Sequence, residues 1–169
     1  MQNQEICRKI RCYLYRAELN VHVCLKIQEF LENKRPYSTK EKFLVMTSNN
    51  AFNDAILTIK SLLGPNRKEI SLLKLGTHIP DLDKIREEFE EHSFSAIRNK
   101  IIAHKDKSTK YDGTEHVQQL VNSEHPKKLS EIVEKLNKLV YEHFEIRWDQ
   151  NNPHANTLKG LNEILEMIK

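Results

Sequence analysis

Along most of this chain apolar residues return every three or four positions, the period of a helix with one buried face. From about residue 4 to residue 33 the stripe runs through Ile6, Ile10, Leu14, Ala17, Val21, Cys24 and Leu31, flanked by Arg, Lys and Glu. A long first helix is predicted there, ending before Pro36. Ser38-Thr39-Lys40-Glu41 then has the spacing of a capping box, in which the Ser38 hydroxyl and the Glu41 carboxylate each satisfy an orphan amide at a helix start. A second helix is expected from near residue 39, with Phe43, Phe52, Ile56, Ile59 and Leu63 on its apolar side. Asn49, Asn50, Asn53 and Asp54 form its polar side, and Gly64-Pro65 ends it, because proline cannot continue the hydrogen-bond ladder.

Residues 66–75 read as a short helix, with Gly76 to Pro80 as a connection. Pro80-Asp81 has the character of a first turn, and the third helix that follows carries Leu82, Ile85, Phe89, Ala96, Ile97 and Ile101. Lys105 to Gly113 lacks apolar period and reads as an exposed loop, followed by a short helical piece around Val117 to Val121. A fourth helix over residues 126–148 has Leu129, Ile132, Val133, Leu136, Leu139, Val140 and Phe144 on one broad face. After Asn152-Pro153 a shorter last helix bears Leu158, Leu161, Leu165 and Ile168, a stripe that predicts packing on the bundle or on a partner subunit. These elements predict an all-α fold, a mostly up-and-down bundle of four to five helices, with residues 1–169 forming one domain.

Composition supports that class: four Gly, five Pro and 38% hydrophobic residues leave few tight turns and enough material for one core. The formal charge of +3 arises from 27 basic and 24 acidic side chains that alternate along most of the chain, so global charge says little about a nucleic-acid partner. A local excess at Lys100, Lys105, Lys107 and Lys110 is a modest sign of phosphate affinity. Cys7, Cys12 and Cys24 all fall in the first helix, an odd number without CxxC spacing, which reads as reduced thiols and a cytoplasmic location. No apolar run approaches the roughly 20 residues that span a bilayer, and no membrane partner is expected.

The segment with chemical character is Arg98-Asn99-Lys100-Ile101-Ile102-Ala103-His104. On an uninterrupted helix Arg98 and His104 would face different sides, so the helix is expected to end or distort near Ala103 and bring the imidazole back toward the guanidinium. A histidine that exchanges protons near neutral pH beside a permanent positive charge suits phosphodiester chemistry.

Arg98-Asn99-x4-His104 at the end of a bundle helix resembles the R-x4-6-H motif of the HEPN superfamily. The surrounding residues, from Phe94 to Asp106, are similar to the AbiU-type branch linked to abortive phage infection. The resemblance implies a HEPN-type bundle acting as a homodimer, with the motifs of two copies meeting at a shared cleft. It implies a metal-independent endoribonuclease without cofactor, in which Arg98 neutralises the scissile phosphate and His104 serves as general acid or base. Asn99 would orient the histidine or the phosphate, and the products would be a 2′,3′-cyclic phosphate and a 5′-hydroxyl. Lys100, Lys105 and Asp54 are further candidates for the RNA-binding cleft, and an antitoxin or other defence protein is a candidate partner. HEPN proteins paired with minimal nucleotidyltransferases carry a Tyr two residues after the histidine, where this chain has Asp106.

A different class of reading stays open beside it. The same bundle can serve as a non-catalytic module that binds RNA, a nucleotide or a partner protein, with Arg98 paired to Glu91 or Asp54 and His104 capping a helix C-terminus. The other histidines, His22, His78, His92, His116, His125, His143 and His154, show no H-x3-H or HExxH spacing and read as structural or surface residues.

Overall fold

A computed structural model describes residues 2–32, 37–64, 70–74, 79, 81–94, 96, 97, 124–144 and 154–168, and every regular element among them is helical. The elements are α1 (Gln2–Leu31), α2 (Thr39–Leu63), a 3-10 turn (Leu72–Lys74), α3 (Leu82–Glu91), α4 (His125–Phe144) and α5 (His154–Ile168). The protein is therefore an all-α helical bundle.

α1 and α2 form an antiparallel hairpin. Going up α1 from Arg16 to Cys24, the partners on α2 go down, from Asp54 to Ser48. The expected stripe of α1 is the buried one: Ile10, Leu14, Ala17, Val21 and Cys24 are at most 3% exposed. The capping box that starts α2 is formed in full, with Glu41 N–H donating to Ser38 Oγ at 3.3 Å and Ser38 N–H donating to Glu41 Oε2 at 2.7 Å.

One inward assignment on α2 is corrected. Phe43 is 67% exposed, while Leu44, Val45 and Ser48 are buried. At about 100° per residue Phe43 shares its side of the helix with Thr47, Asn50 and Asp54, so the burial of Phe52, Ile56 and Ile59 turns it outward.

The end of α2 is capped by side chains remote in sequence. Ser71 Oγ donates to the Gly64 carbonyl at 2.6 Å and lies 3.4 Å from that of Leu62, and Arg86 Nε donates to the Leu63 carbonyl at 2.8 Å. The last carbonyls of a helix have no partner within it, and a guanidinium there also complements the negative end of the dipole. Within the stretch expected as a short helix, the described residues 70–74 contain one 3-10 turn, Leu72–Lys74.

α3 begins one residue later than the first-turn reading of Asp81 supposed. Asp81 occupies the N-cap with a left-handed φ of 62° and makes no side-chain cap bond; its carboxylate instead accepts from Lys84 Nζ at 2.6 Å. α4 then packs against α1, α2 and α3, with Lys135 Nζ bonded to both oxygens of Glu88 at 2.5 and 2.6 Å. Leu129, Ile132, Val133, Leu136, Leu139 and Val140 are buried as the pattern predicted. The main core joins these residues to Ile10 through Cys24 of α1, Phe52 through Leu63 of α2, and Leu82, Ile85 and Phe89 of α3. A second cluster closes one end of the hairpin, where Leu165 of α5 meets Ile27 and Leu31 of α1 and Leu44 and Val45 of α2.

Candidate functional site

The third helix foreseen as one piece from Pro80 to Ile101 is interrupted before the motif. α3 stops at Glu91, Ser93 turns left-handed with φ 56°, and a new helical turn follows in which Ile97 N–H donates to the Ser93 carbonyl at 2.9 Å. The reason lies in helical phase. Leu82, Ile85 and Phe89 share one side, and Phe94, five residues beyond Phe89, would point roughly 140° away from it on a continuous helix. Phe94 is nevertheless 0% exposed, so the backbone changes direction between His92 and Phe94 to bring the ring inward.

The ring of Phe94 is the centre of an aromatic cluster. Its centroid lies 5.2 Å from Phe89, 6.2 Å from Phe52, 5.8 Å from His92 and 6.0 Å from His125. The contacts with Phe52, His92 and His125 are edge-on and that with Phe89 is tilted at 41°; edge-on contacts suit the ring quadrupole. Ile97, which directly precedes Arg98, packs on the main core, and His125, which opens α4, meets the Phe94 ring. Nδ1 of His125 is buried there with no hydrogen-bond partner among the described residues.

Arg98, Asn99, Lys100, His104 and Lys105, the residues singled out for chemistry and for RNA binding, lie outside the described residues. The same holds for the Lys105 to Gly113 loop and the helical piece around Val117 to Val121. Asp54 is described, and its carboxylate is engaged within the hairpin. Arg16 Nε donates to Oδ2 at 2.6 Å, Arg16 Nη2 donates to Oδ1, and Asn20 Nδ2 donates to Oδ2 at 2.5 Å. This bidentate pairing raises the pKa of Arg16 above its ordinary value, through the hydrogen bond first and the charge of Asp54 second. Phe52, which meets Phe94, and Asp54 lie roughly 200° apart around α2, so the carboxylate faces α1 and not the aromatic cluster.

Two features of this region were not read from the pattern. His92 and His125 bracket Phe94, a placement visible only once α3 and α4 are packed together. The Arg16–Asp54 pair links residues 38 positions apart, which no local spacing reveals. Among the described residues no three of His, Cys, Asp or Glu gather as a metal site, and no helix is long and apolar enough to cross a membrane. No protein-family model, no curated protein and no solved structure matches the chain.

Proposed function

We propose that this protein is a metal-independent endoribonuclease of HEPN type, of the toxin or abortive-infection kind, with Arg98, Asn99 and His104 as its catalytic set. The observation that carries the reading is the motif Arg98-Asn99-x4-His104, attached directly to the helical turn that Phe94 pins into the core of an all-α bundle. Phe94 and Ile97, just before the motif in sequence, are packed on the core, and catalytic groups act best when a rigid element holds them.

In the reaction the RNA 2′-oxygen attacks phosphorus and loses its proton, while the bond from phosphorus to the 5′-oxygen breaks and that oxygen gains one. His104 accepts or donates one of these protons, and Arg98 neutralises the charge that builds on the phosphoryl oxygens. Asn99 holds the imidazole or the phosphate by hydrogen bonding. Two copies supply the motif pair at a shared cleft, and the protein works in the cytoplasm, where a defence partner or antitoxin restrains it.

The test compares the wild type with His104→Ala and Arg98→Ala, each checked for helicity by circular dichroism. Growth arrest on expression and cleavage of purified RNA to 2′,3′-cyclic phosphate ends are expected for the wild type and lost by at least about 100-fold in His104→Ala. Equal cleavage by wild type and His104→Ala removes the catalytic assignment. The non-catalytic module is then the surviving alternative.

A further inference from the structure

Besides the lysine-rich stretch around residues 98–110, positive charge gathers at the start of α1. The first 17 residues hold Arg8, Lys9, Arg11 and Arg16 and one acid, Glu5, a net +3. At 100° per residue all four cations fall within an arc of roughly 160° around α1, opposite the buried stripe of Ile10, Leu14 and Ala17. Cys12 and Tyr15 lie inside the same arc.

The arc faces solvent. Arg8, Lys9, Cys12 and Arg16 are exposed, and Arg11 and Tyr15 are half-buried along its edge. The positive helix dipole sits at this terminus, so cations here gain nothing from the helix itself. Their field registers on Glu5, whose pKa lies below its ordinary value because Lys9 hydrogen-bonds and attracts it, with the charge of Arg8 acting in the same direction. Lys9 is paired with Glu5 at 2.6 Å and Arg16 with Asp54. Exposed pairs of this kind are worth only about 0–1 kcal/mol, which a phosphate can readily replace.

We propose that the N-terminal half of α1 is an RNA-backbone binding surface, in which Arg8, Lys9, Arg11 and Arg16 engage successive phosphates. From Arg8 to Arg16 the surface extends roughly 12 Å along the helix axis, enough to meet more than one phosphate of a strand. Charge complementarity selects the occupant: four cations beside two carboxylates, Glu5 and Asp54, leave a net positive face that matches a polyanion with evenly spaced charges. The inference rests on the reading that RNA is the substrate, and it assigns the grip on the backbone to a helix remote in sequence from the cleavage motif.

The experiment measures binding in the His104→Ala background, so that cleavage does not interfere. A short fluorescein-labelled single-stranded RNA is titrated by fluorescence anisotropy at salt concentrations between about 50 and 200 mM. Arg8→Glu with Lys9→Glu is expected to weaken binding at least tenfold and to reduce the slope of log K against log salt by about 1.4, the share of two phosphate contacts on a single strand. Arg8→Gln with Lys9→Gln gives the same direction without charge reversal. The control, Lys84→Glu with Lys138→Glu, introduces the same charge change on exposed faces of α3 and α4 and is expected to stay within twofold.

An independent readout is Cys12, which lies between Arg8 and Arg16 on the exposed side; bound RNA is expected to slow its alkylation, read by peptide mass spectrometry. Equal losses in the α1 variant and the control, or no protection of Cys12, overturn the inference. So does binding of phosphatidylserine vesicles in place of RNA. RNA bound without help from α1, yet cleaved in a His104-dependent manner, sinks this surface and leaves the ribonuclease standing. Binding that depends on α1, with no His104-dependent cleavage, does the reverse.

Discussion

Asp54 holds Arg16 across the α1–α2 hairpin by both of its carboxylate oxygens, and Asn20 donates a third hydrogen bond to the same group. The Arg16 side chain is 61% exposed and that of Asp54 29%, so water screens the pair and its net worth is modest. A double-mutant cycle with Arg16→Ala and Asp54→Ala, followed by urea denaturation, is expected to give a coupling energy of about 0.5–1 kcal/mol.

The same pairing bears on the proposed RNA-binding role of Asp54. Because Asp54 is committed to α1, Asp54→Asn is expected to lower stability by roughly 1 kcal/mol while RNA cleavage changes less than about threefold. A loss of cleavage by 100-fold in a variant of unchanged helicity would move Asp54 into the catalytic site.

Phe94 is a fully buried aromatic residue four positions before the motif in sequence. Its burial is complete and it touches rings from α2, α3 and α4, so Phe94→Ala is expected to cost about 3–5 kcal/mol. Phe94→Leu keeps much of the apolar volume and is expected to cost about 1–2 kcal/mol. Since Arg98 lies only four residues on, the leucine variant is expected to remain folded at room temperature and cleave RNA more slowly than the wild type. Chemical denaturation and a cleavage time course on the same sample separate the two effects.

The break before Phe94 rests on one left-handed residue. Ser93 has φ 56°, a region that costs an L-residue about 1 kcal/mol and glycine almost nothing. Ser93→Gly is expected to be neutral or to stabilise by up to about 0.5 kcal/mol, the relief being offset by the greater freedom of glycine in the unfolded chain. Ser93→Val, with a branched Cβ, is expected to destabilise by about 1–2 kcal/mol. A melt in which valine matched or exceeded glycine would mean that α3 runs straight through residue 93.

How far the sequence discloses this architecture depends on the range of the interactions involved. The stripes of α1 and α4 are visible because burial imposes a period within each helix, and the capping box of α2 is visible because Ser38 and Glu41 are three residues apart. Phe43 was misassigned because aromatic character alone does not decide which side of a helix faces inward; the phase set by Leu44, Ser48 and Phe52 does. The break at Ser93 was masked by Ala96, which continues the stripe of Leu82, Ile85 and Phe89 in phase, whereas buried Phe94 does not. Ser71 and Arg86 as caps of α2, and Arg16 as the partner of Asp54, are contacts between distant segments, so no local pattern contains them. Of the candidate site, the motif residues were legible as a resemblance, while the charge on α1 is diluted in a total of 27 basic and 24 acidic side chains until exposure separates it.

The three cysteines provide a last check on the packing of the hairpin. Cys24 is 3% exposed, and Ser48 Oγ lies 3.2 Å from its sulfur; Cys12 is exposed and Cys7 half-buried. Burial pushes the Cys24 thiol up to about 11, although the Ser48 hydroxyl, by stabilising the thiolate, works against this. Thiolate is the reactive form, so at pH 8 iodoacetamide is expected to label Cys12 first and Cys24 only on unfolding. Titration adds a second signature. The folded chain keeps the Cys24 proton where the unfolded chain has lost it, so the resulting stability is complete below pH 9 and disappears as pH rises to about 11. A shift of this size corresponds to roughly 2–3 kcal/mol, taken as the difference in pH dependence between the wild type and Cys24→Ala so that lysine and tyrosine titrations cancel. Parallel stability curves for the two proteins from pH 8 to 11, or Cys24 labelled as fast as Cys12 in the native state, would show that the α1–α2 seam is open to water at this position.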